Sequence, residues 1–256
     1  LKPSQSRSTR QLLDFKGQVF RQHFVVAKTS KGLAKAGPFL LLVQNFLRYA
    51  ECMAIELIRD NRFGAFFWTQ FLGAFNDNLL KFAVTLAVTY NDALRGSFSP
   101  GLLINLIAAL FILPFVIFSA TSGQLADKFD KTKVMRLAKW LEPPIVLITA
   151  AGFLLNSVEL LILGVFLLGT QSAFFGPAKY AYLPEQLKSS ELVMGNALVE
   201  SATFMAILLG TIAAGSLMSQ EAGDVAVYIV CGFGFLVALL GVYQAQRMPL
   251  TPSHSP

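Results

Sequence analysis

The stretch LLINLIAALFILPFVIFSATS, residues 102–122, contains no charged residue and is long enough to cross a lipid bilayer as a single helix. About 20 consecutive apolar residues are needed to span the hydrocarbon core in helical form. A helix also satisfies its own backbone hydrogen bonds, which water cannot do inside lipid. The stretch therefore predicts a transmembrane helix.

Five further segments of comparable length and apolarity lie on both sides of this stretch. The chain is 54% apolar and only 14% charged, whereas an ordinary soluble domain has about 25% charged residues. The predicted fold is an all-α polytopic membrane protein with a six-helix domain over residues 63–245. We place its spans near residues 63–90, 102–122, 134–155, 159–178, 192–218 and 225–245.

The basic residues are concentrated at one end of the chain and on one side of the predicted spans. Residues 1–62 carry a net charge of +7 and residues 63–256 a net charge of −1. The predicted loops on the side opposite the N-terminus contain a single basic residue, Arg95. Because cytoplasmic loops are enriched in Lys and Arg, we expect both termini inside the cell. Lipid headgroups explain the basic end more simply than a nucleic acid, which we do not expect as a partner.

The two ends of the chain have their own character. Residues 1–62 form a basic segment, and apolar residues recur at helical spacing from Phe39 to Leu57. Two interpretations stay open: an amphipathic helix along the cytoplasmic interface, begun by Pro38, or translation that really starts at Met53. Residues 246–256 are typical of the start of a cytoplasmic linker.

The two cysteines, Cys52 and Cys231, are far apart in sequence and indicate neither a disulfide framework nor a metal site. We expect no metal, cofactor or catalytic residue in this chain.

A polar cluster interrupts the first span, in FLGAFNDNLLKFAV, residues 71–84. Charged groups at bilayer depth are costly and usually face a protein interior or a wet cavity. Asp77 and Lys81 are four residues apart, so one interpretation is a neutralising pair on one helix face. The neighbouring amides of Asn76 and Asn78 also need partners, and such a cluster indicates a solute path more readily.

The fifth span carries two stripes at helical spacing. Asn196, Glu200 and Thr203 predict a polar face, and Glu200 is too far into the helix to be a loop charge. The second stripe, with a spacing of four, predicts close helix packing; it consists of Ala202, Ala206, Gly210 and Ala214.

The third and fourth spans each contain proline beside a charged residue. Glu142 precedes Pro143-Pro144 and either faces a substrate or pairs with Lys139. Gly176-Pro177 predicts a break in the fourth helix, and Lys179 then presents an ammonium at the cytoplasmic mouth, either to a phosphate or as a membrane anchor.

The loop GQLADKFDKTKVMR, residues 123–136, combines a predicted turn at Gly123 with ordered charges. It resembles the signature between the second and third helices of the major facilitator superfamily, except that Asp130 stands where Gly is usual. The resemblance implies a six-helix half of that fold and a conformational latch that engages the other half. Its latch residues would be Gly123, Asp127, Lys131, Lys133 and Arg136.

Three further blocks make the resemblance narrower: QFLGAFNDNLLKFAV (70–84), FFGPAKYAYLPEQL (174–187) and LVMGNALVESATFMAILLGT (192–211). Together with the loop they are similar to bacterial lysophospholipid transporters, most of all to the type fused to a phospholipid acyltransferase. The resemblance implies a secondary transporter that moves lysophospholipid, such as lysophosphatidylethanolamine, across the inner membrane towards the cytoplasmic leaflet. The implied partners are the bilayer, a C-terminal six-helix half and an acyltransferase domain.

A lysophospholipid headgroup cannot cross hydrocarbon without replacing its lost hydration. Carboxylates would bind its amine and a lysine would bind its phosphate. An aromatic wall beside them would contact the acyl chain. The predicted substrate-binding residues are Asp77, Asn78, Lys81, Lys179, Asn196 and Glu200.

Two other functions stay open. The chain could belong to a carrier of another small solute in the same superfamily, or be the membrane domain of a fused acyltransferase. Catalysis by the H-x-x-x-x-D pattern of such acyltransferases is not expected within this chain. Its two histidines are His23 and His254, and residue 28 is Lys.

Overall fold

A computed structural model describes residues 38–218 and 223–250. The chain divides into two compact units, Leu1–Cys52 and Met53–Pro256. Most of the basic N-terminal segment, both histidines and the last residues of the predicted linker lie outside the described residues. The structure therefore bears on the helical domain.

Every regular element among the described residues is a helix. The chain order is α1 (Pro38–Arg59), α2 (Asn61–Tyr90), the short α3 (Asp92–Arg95), α4 (Pro100–Lys128), α5 (Lys131–Leu154), α6 (Val158–Gln186), α7 (Leu192–Leu217) and α8 (Gly223–Arg247). Helix α1 extends from Pro38, the first described residue, to Arg59.

Six of these helices, α2 and α4–α8, are long and apolar enough to cross a membrane. They correspond one to one to the six predicted spans, which confirms the all-α polytopic fold. Several run beyond the predicted limits, because a helix continues past the hydrocarbon boundary until a capping or breaking residue ends it.

Polar side chains start most of these helices by accepting a hydrogen bond from a free backbone N–H. Ser99 accepts from the N–H of Leu102 at the start of α4, and Ser157 accepts from Leu160 at the start of α6, both at 3.3 Å. Asp60 caps α2 through the N–H of Arg62 at 2.9 Å. A hydrogen bond from the Arg62 side chain lowers the pKa of the Asp60 carboxyl.

The connection between α4 and α5 corrects one prediction. Gly123 does not close the turn: α4 continues through Gly123 and Asp127 to Lys128. The turn is confined to residues 129–130, and Asp130 caps α5 by accepting from the N–H of Lys133 at 3.1 Å. Nothing in residues 123–128 breaks a helix, and Asp130 supplies the first good N-cap.

The predicted break at Gly176-Pro177 is also wrong. Helix α6 passes through Pro177 and Pro184 and ends at Gln186. Proline removes one backbone hydrogen bond, but membrane helices tolerate it where neighbouring helices support the backbone. Here α6 packs along both α4 and α5.

The bundle is built around α2 and α6. Helix α2 packs against α7 and α8, α6 packs against α4 and α5, and α5 also contacts α8. Helix α2 in turn contacts both α4 and α6, which joins the two groups. The polar cluster of α2 therefore lies inside the bundle.

The small-residue stripe of α7 forms a close helix contact with α2, as predicted. Ala202, Ala206, Gly210 and Ala214 are all buried. A β-carbon added at Gly210 would lie 2.5 Å from the backbone oxygen of Phe75 on α2. Small residues let two backbones approach this closely and replace the hydrophobic effect as a source of association in lipid.

Candidate functional site

A cavity of about 340 Å³ lies between α2, α4, α5, α6 and α7. Three phenylalanines, Phe111, Phe115 and Phe175, form part of its wall. Its polar lining consists of Gln70, Asp77 and Asn78 of α2, Lys139 of α5, Gln171, Ser172, Lys179 and Tyr180 of α6, and Thr203 of α7. The cavity thus joins an aromatic wall to charges of both signs.

Asp77 is the carboxylate of this cavity that the protein leaves partly unpaired. Its side chain is buried, with 7% of the residue exposed. One carboxylate oxygen, Oδ2, accepts a hydrogen bond from the hydroxyl of Ser172 at 2.5 Å. The other, Oδ1, is buried and has no hydrogen-bond partner among the described residues.

Lys81 does not neutralise Asp77 by a direct contact. Its ammonium donates to Oδ1 of Asn78 at 3.0 Å and lies 4.4 Å from the centre of the Phe111 ring. A salt bridge between Lys81 and Asp77 is absent from those found in the described part of the chain. Lys81 therefore lies beside the cavity, fixing Asn78 rather than pairing with the acid.

A second buried charge cluster lies next to the cavity, at the contact between α2 and α5. Glu142 accepts a hydrogen bond from the Asn76 side-chain amide at 2.8 Å and from the Lys139 ammonium at 2.6 Å. The side chains of Lys139 and Glu142 are 3% and 1% exposed. Of the two predicted roles of Glu142, the structure shows the pairing with Lys139.

Lys139 was missed by the sequence analysis as a cavity residue. It was considered only as a partner for Glu142, yet it contributes to the cavity wall. A signal was present in the sequence: Lys139 and Glu142 are three residues apart, and Gly73 lies one helical turn before Asp77. Only the packing of α5 on α2 shows that these positions meet.

Lys179 and Glu200 meet at the edge of the cavity. Lys179 is buried and lines the cavity, and its ammonium lies 3.7 Å from Oε1 of Glu200. The Tyr180 hydroxyl donates to the same carboxylate oxygen at 3.0 Å. The Glu200 side chain is 47% exposed, so this carboxylate belongs to the rim rather than to the interior.

The predicted polar face of α7 is only partly directed at the cavity. Thr203 lines it and accepts a hydrogen bond from Gln70 at 3.0 Å. Asn196 is exposed, lies outside the lining, and donates to the backbone oxygen of Leu192 in its own helix at 2.9 Å. The structure does not bring Asn196 together with the other predicted site residues.

Two residues of the predicted latch, Lys131 and Arg136, form contacts within the described bundle. Lys131 forms an ion pair with Glu185 at 2.8 Å, which joins α5 to the end of α6. Arg136 donates to the backbone oxygens of Ala245, Gln246 and Met248 at the end of α8. These two cations therefore bind their own bundle.

Asp127 and Lys133 lie at the same end of the bundle with exposed side chains. Neither side chain has a hydrogen bond or ion pair to a described residue. Both are therefore available for an external contact.

Comparison with known proteins assigns a family to this arrangement. The model of the Major Facilitator Superfamily matches residues 66–255. The chain is also similar to the lysophospholipid transporter LplT of Salmonella newport (strain SL254), Salmonella enteritidis and Salmonella typhi. Each is 35% identical over 170 residues, which make up 66% of this chain and 39% of the relative. The chain thus corresponds to well under two thirds of the length of these proteins.

Proposed function

Because the chain belongs to the major facilitator superfamily, we propose that it forms the headgroup-binding half of a secondary transporter for lysophospholipids. The proposed site is the cavity around Asp77, in a multi-pass protein of the bacterial inner membrane with cytoplasmic termini. The proposed direction of transport is towards the cytoplasmic leaflet. The similarity to proteins named as lysophospholipid transporters supports the substrate class.

The observation that carries the proposal is the free oxygen of Asp77. A carboxylate at bilayer depth is costly unless it meets a cation or hydrogen-bond donors. Ser172 serves one oxygen, and no described residue serves the other. An ammonium from a substrate would complete the coordination of this carboxylate inside the cavity.

The remaining walls fit the other parts of a lysophospholipid. Lys179 supplies a cation at the edge of the cavity, while Phe111, Phe115 and Phe175 offer an apolar surface to the start of an acyl chain. A volume of about 340 Å³ is at the lower end for ligand pockets. It suits a polar headgroup better than a whole lipid, so the chain would extend beyond the cavity.

An apolar recess between α2 and α7 supports a lipid substrate further. It has a volume of about 270 Å³ and is lined almost wholly by apolar atoms, including those of Phe67, Phe71 and Met205.

The proposal includes a second six-helix half. Helices α4 and α7 are the least buried of the six spans, with 17% and 28% of their most apolar windows buried. Transporters of this superfamily place substrate at the interface between two such halves. A fused acyltransferase domain is a further proposed partner, and it would consume the lysophospholipid delivered to the cytoplasmic side.

The test is uptake of labelled lysophosphatidylethanolamine by spheroplasts that express the complete gene product with Asp77→Asn. We expect uptake to fall about 10- to 100-fold, the usual value of a hydrogen bond to a charged group. Asp92→Asn is the matched control, because Asp92 is exposed and pairs with Arg95 on the short α3. Wild-type uptake by a normally expressed Asp77→Asn variant would contradict the proposal, and uptake of an unrelated solute instead would favour another carrier function.

A further inference from the structure

The buried ammonium of Lys139 has more hydrogen-bonding capacity than its surroundings use. A lysine ammonium has three N–H donors. Among the described residues, Glu142 is its one hydrogen-bond acceptor, at 2.6 Å. The Phe175 ring centre lies 5.3 Å away and offers only its π-face. Two donors therefore remain without an acceptor among the described residues, and Lys139 lies in the wall of the cavity.

The position of this ammonium is fixed by a missing side chain on α2. A β-carbon at Gly73 would lie 2.0 Å from Nζ of Lys139, so the ammonium occupies the space where a side chain of residue 73 would begin. The aliphatic stem of Lys139 passes Gly241 of α8, whose added β-carbon would lie 3.8 Å from it. The 3.8 Å at Gly241 is an ordinary contact, so Gly73 alone of these two glycines is needed to admit the lysine ammonium.

The place of the ammonium sets its distance from Asp77. Residues four apart on a helix have β-carbons about 5–6 Å from each other on the same face. Gly73 and Asp77 have this spacing, and the ammonium lies where the β-carbon of residue 73 would be. The Lys139 ammonium and the β-carbon of Asp77 are therefore about one helical turn apart, and both residues line the cavity.

We propose that Lys139 is the phosphate-binding group of the cavity, held in place by Glu142 and the Gly73 notch. In this arrangement the headgroup phosphate accepts the free Lys139 N–H groups while the substrate ammonium donates to Asp77. The two-carbon bridge of an ethanolamine headgroup keeps its phosphate and ammonium close enough for one molecule to contact both residues. This inference rests on the proposed function and adds the group that selects a phosphodiester.

Glu142 acts as a positioning residue in this proposal. Its carboxylate holds Lys139 on one oxygen and the Asn76 amide on the other. A buried lysine without a carboxylate partner would be costly, and a lysine that met only the substrate would be unpaired in the empty transporter. Glu142 therefore gives the ammonium a partner and holds it in place between transport events.

The sharpest test moves the ammonium without removing a charge. Gly73→Ala places a methyl group where Nζ lies, and the flexible end of the lysine can yield. Binding of fluorescent lysophosphatidylethanolamine to the complete protein in nanodiscs should weaken about 10- to 100-fold, as for loss of a charged hydrogen bond. Binding of neutral monoacylglycerol should stay at the wild-type value. Gly232→Ala is the control, since its β-carbon meets nothing within 4 Å.

A second variant removes the cation and keeps the site neutral. Lys139→Met combined with Glu142→Gln leaves no unpaired charge and retains an acceptor for the Asn76 amide. Its affinity for lysophosphatidylethanolamine should fall to the same extent, while its affinity for monoacylglycerol stays unchanged. A thermal unfolding midpoint close to that of the wild type would show that the variant is folded. Glycerophosphoethanolamine should compete with the lipid in the wild type, and inorganic phosphate at the same concentration should not.

The outcomes separate the inference from the proposed function. Unchanged lipid affinity in both variants overturns the role of Lys139 while leaving lysophospholipid binding intact. Equal loss of both ligands overturns it as well, because it indicates a change of shape. Competition by inorganic phosphate alone overturns it in favour of a free-phosphate site. Failure of the wild type to bind lysophospholipid overturns both proposals.

Discussion

Ser172 on α6 donates its hydroxyl hydrogen to the Asp77 carboxylate on α2, and this is the one hydrogen bond that the described residues give to that carboxylate. The residues are 95 positions apart in sequence. The bond holds one oxygen of the carboxylate and leaves the second, buried oxygen without a hydrogen-bond partner among the described residues.

Ser172→Ala should weaken lysophospholipid uptake while leaving expression unchanged. The variant removes a charge-assisted hydrogen bond worth about 1.5–3 kcal/mol, so the Asp77 carboxylate loses both orientation and stabilisation. We expect a rise in KM that exceeds the change in maximal rate. Ser216→Ala on the exposed face of α7 is the control. Equal KM values for the two variants would show that Ser172 does not orient the acid.

Glu142→Ala should strongly destabilise the bundle. It leaves the Lys139 ammonium buried without its carboxylate and the Asn76 amide without its acceptor. Breaking a buried ion pair from one side costs about 3–5 kcal/mol. Thermal unfolding in detergent measures the change. Glu159→Ala, whose side chain accepts from Ser157 at an exposed helix start, should change the unfolding midpoint far less.

Gly210→Ala should loosen the contact between α2 and α7. Its methyl group would lie 2.5 Å from the Phe75 backbone oxygen, which cannot rotate away as a side chain can. We expect a loss of about 1–3 kcal/mol, typical of overpacking. Gly215→Ala on the same helix is the matched control, because its nearest contact would be an ordinary 3.9 Å to the Phe82 ring. Equal unfolding midpoints would contradict the packing role of the stripe.

Asp60→Ala should lower stability at neutral pH by about 1 kcal/mol, the usual value of an N-cap. The Arg62 side chain lowers the pKa of the Asp60 carboxyl in the folded protein. Its charge therefore stabilises the fold above the unfolded pKa of about 3.9, and this part is lost as the pH falls through the lower folded value. The difference in unfolding midpoint between wild type and Asp60→Ala should shrink from pH 7 to pH 3. A difference that grows on acidification would contradict this role.

The six spans were predictable because lipid imposes a simple rule of length and apolarity. Residues 102–122 and 192–218 meet that rule without information about neighbours, and α4 and α7 contain them almost entirely. The ends of the helices were harder to predict from the sequence. Asp127 and Asp130 are equally good caps as residue types, and the choice between them depends on where α4 stops along its neighbours.

Contacts inside the bundle were only partly predictable. The spacing of Asp77 and Lys81 indicated a pair, but Lys81 turns to Asn78 and Phe111 instead. The break expected at Pro177 is overridden by the helices that support α6. The role of Lys139 in the cavity depends on Gly73, a residue whose importance is visible only when a second helix lies against it.

The hydrogen bonds of Arg136 have a consequence for how movement would pass through the protein. Arg136 and Thr132 of α5 bind the backbone oxygens of the last turn of α8 and of Met248 and Pro249 just beyond it. These hydrogen bonds attach the segment that follows α8 to α5, the helix that also contributes Lys139. A tilt of α5 would therefore move this segment together with the Lys139 ammonium. Headgroup binding at Lys139 and the orientation of the segment after α8 would then be coupled.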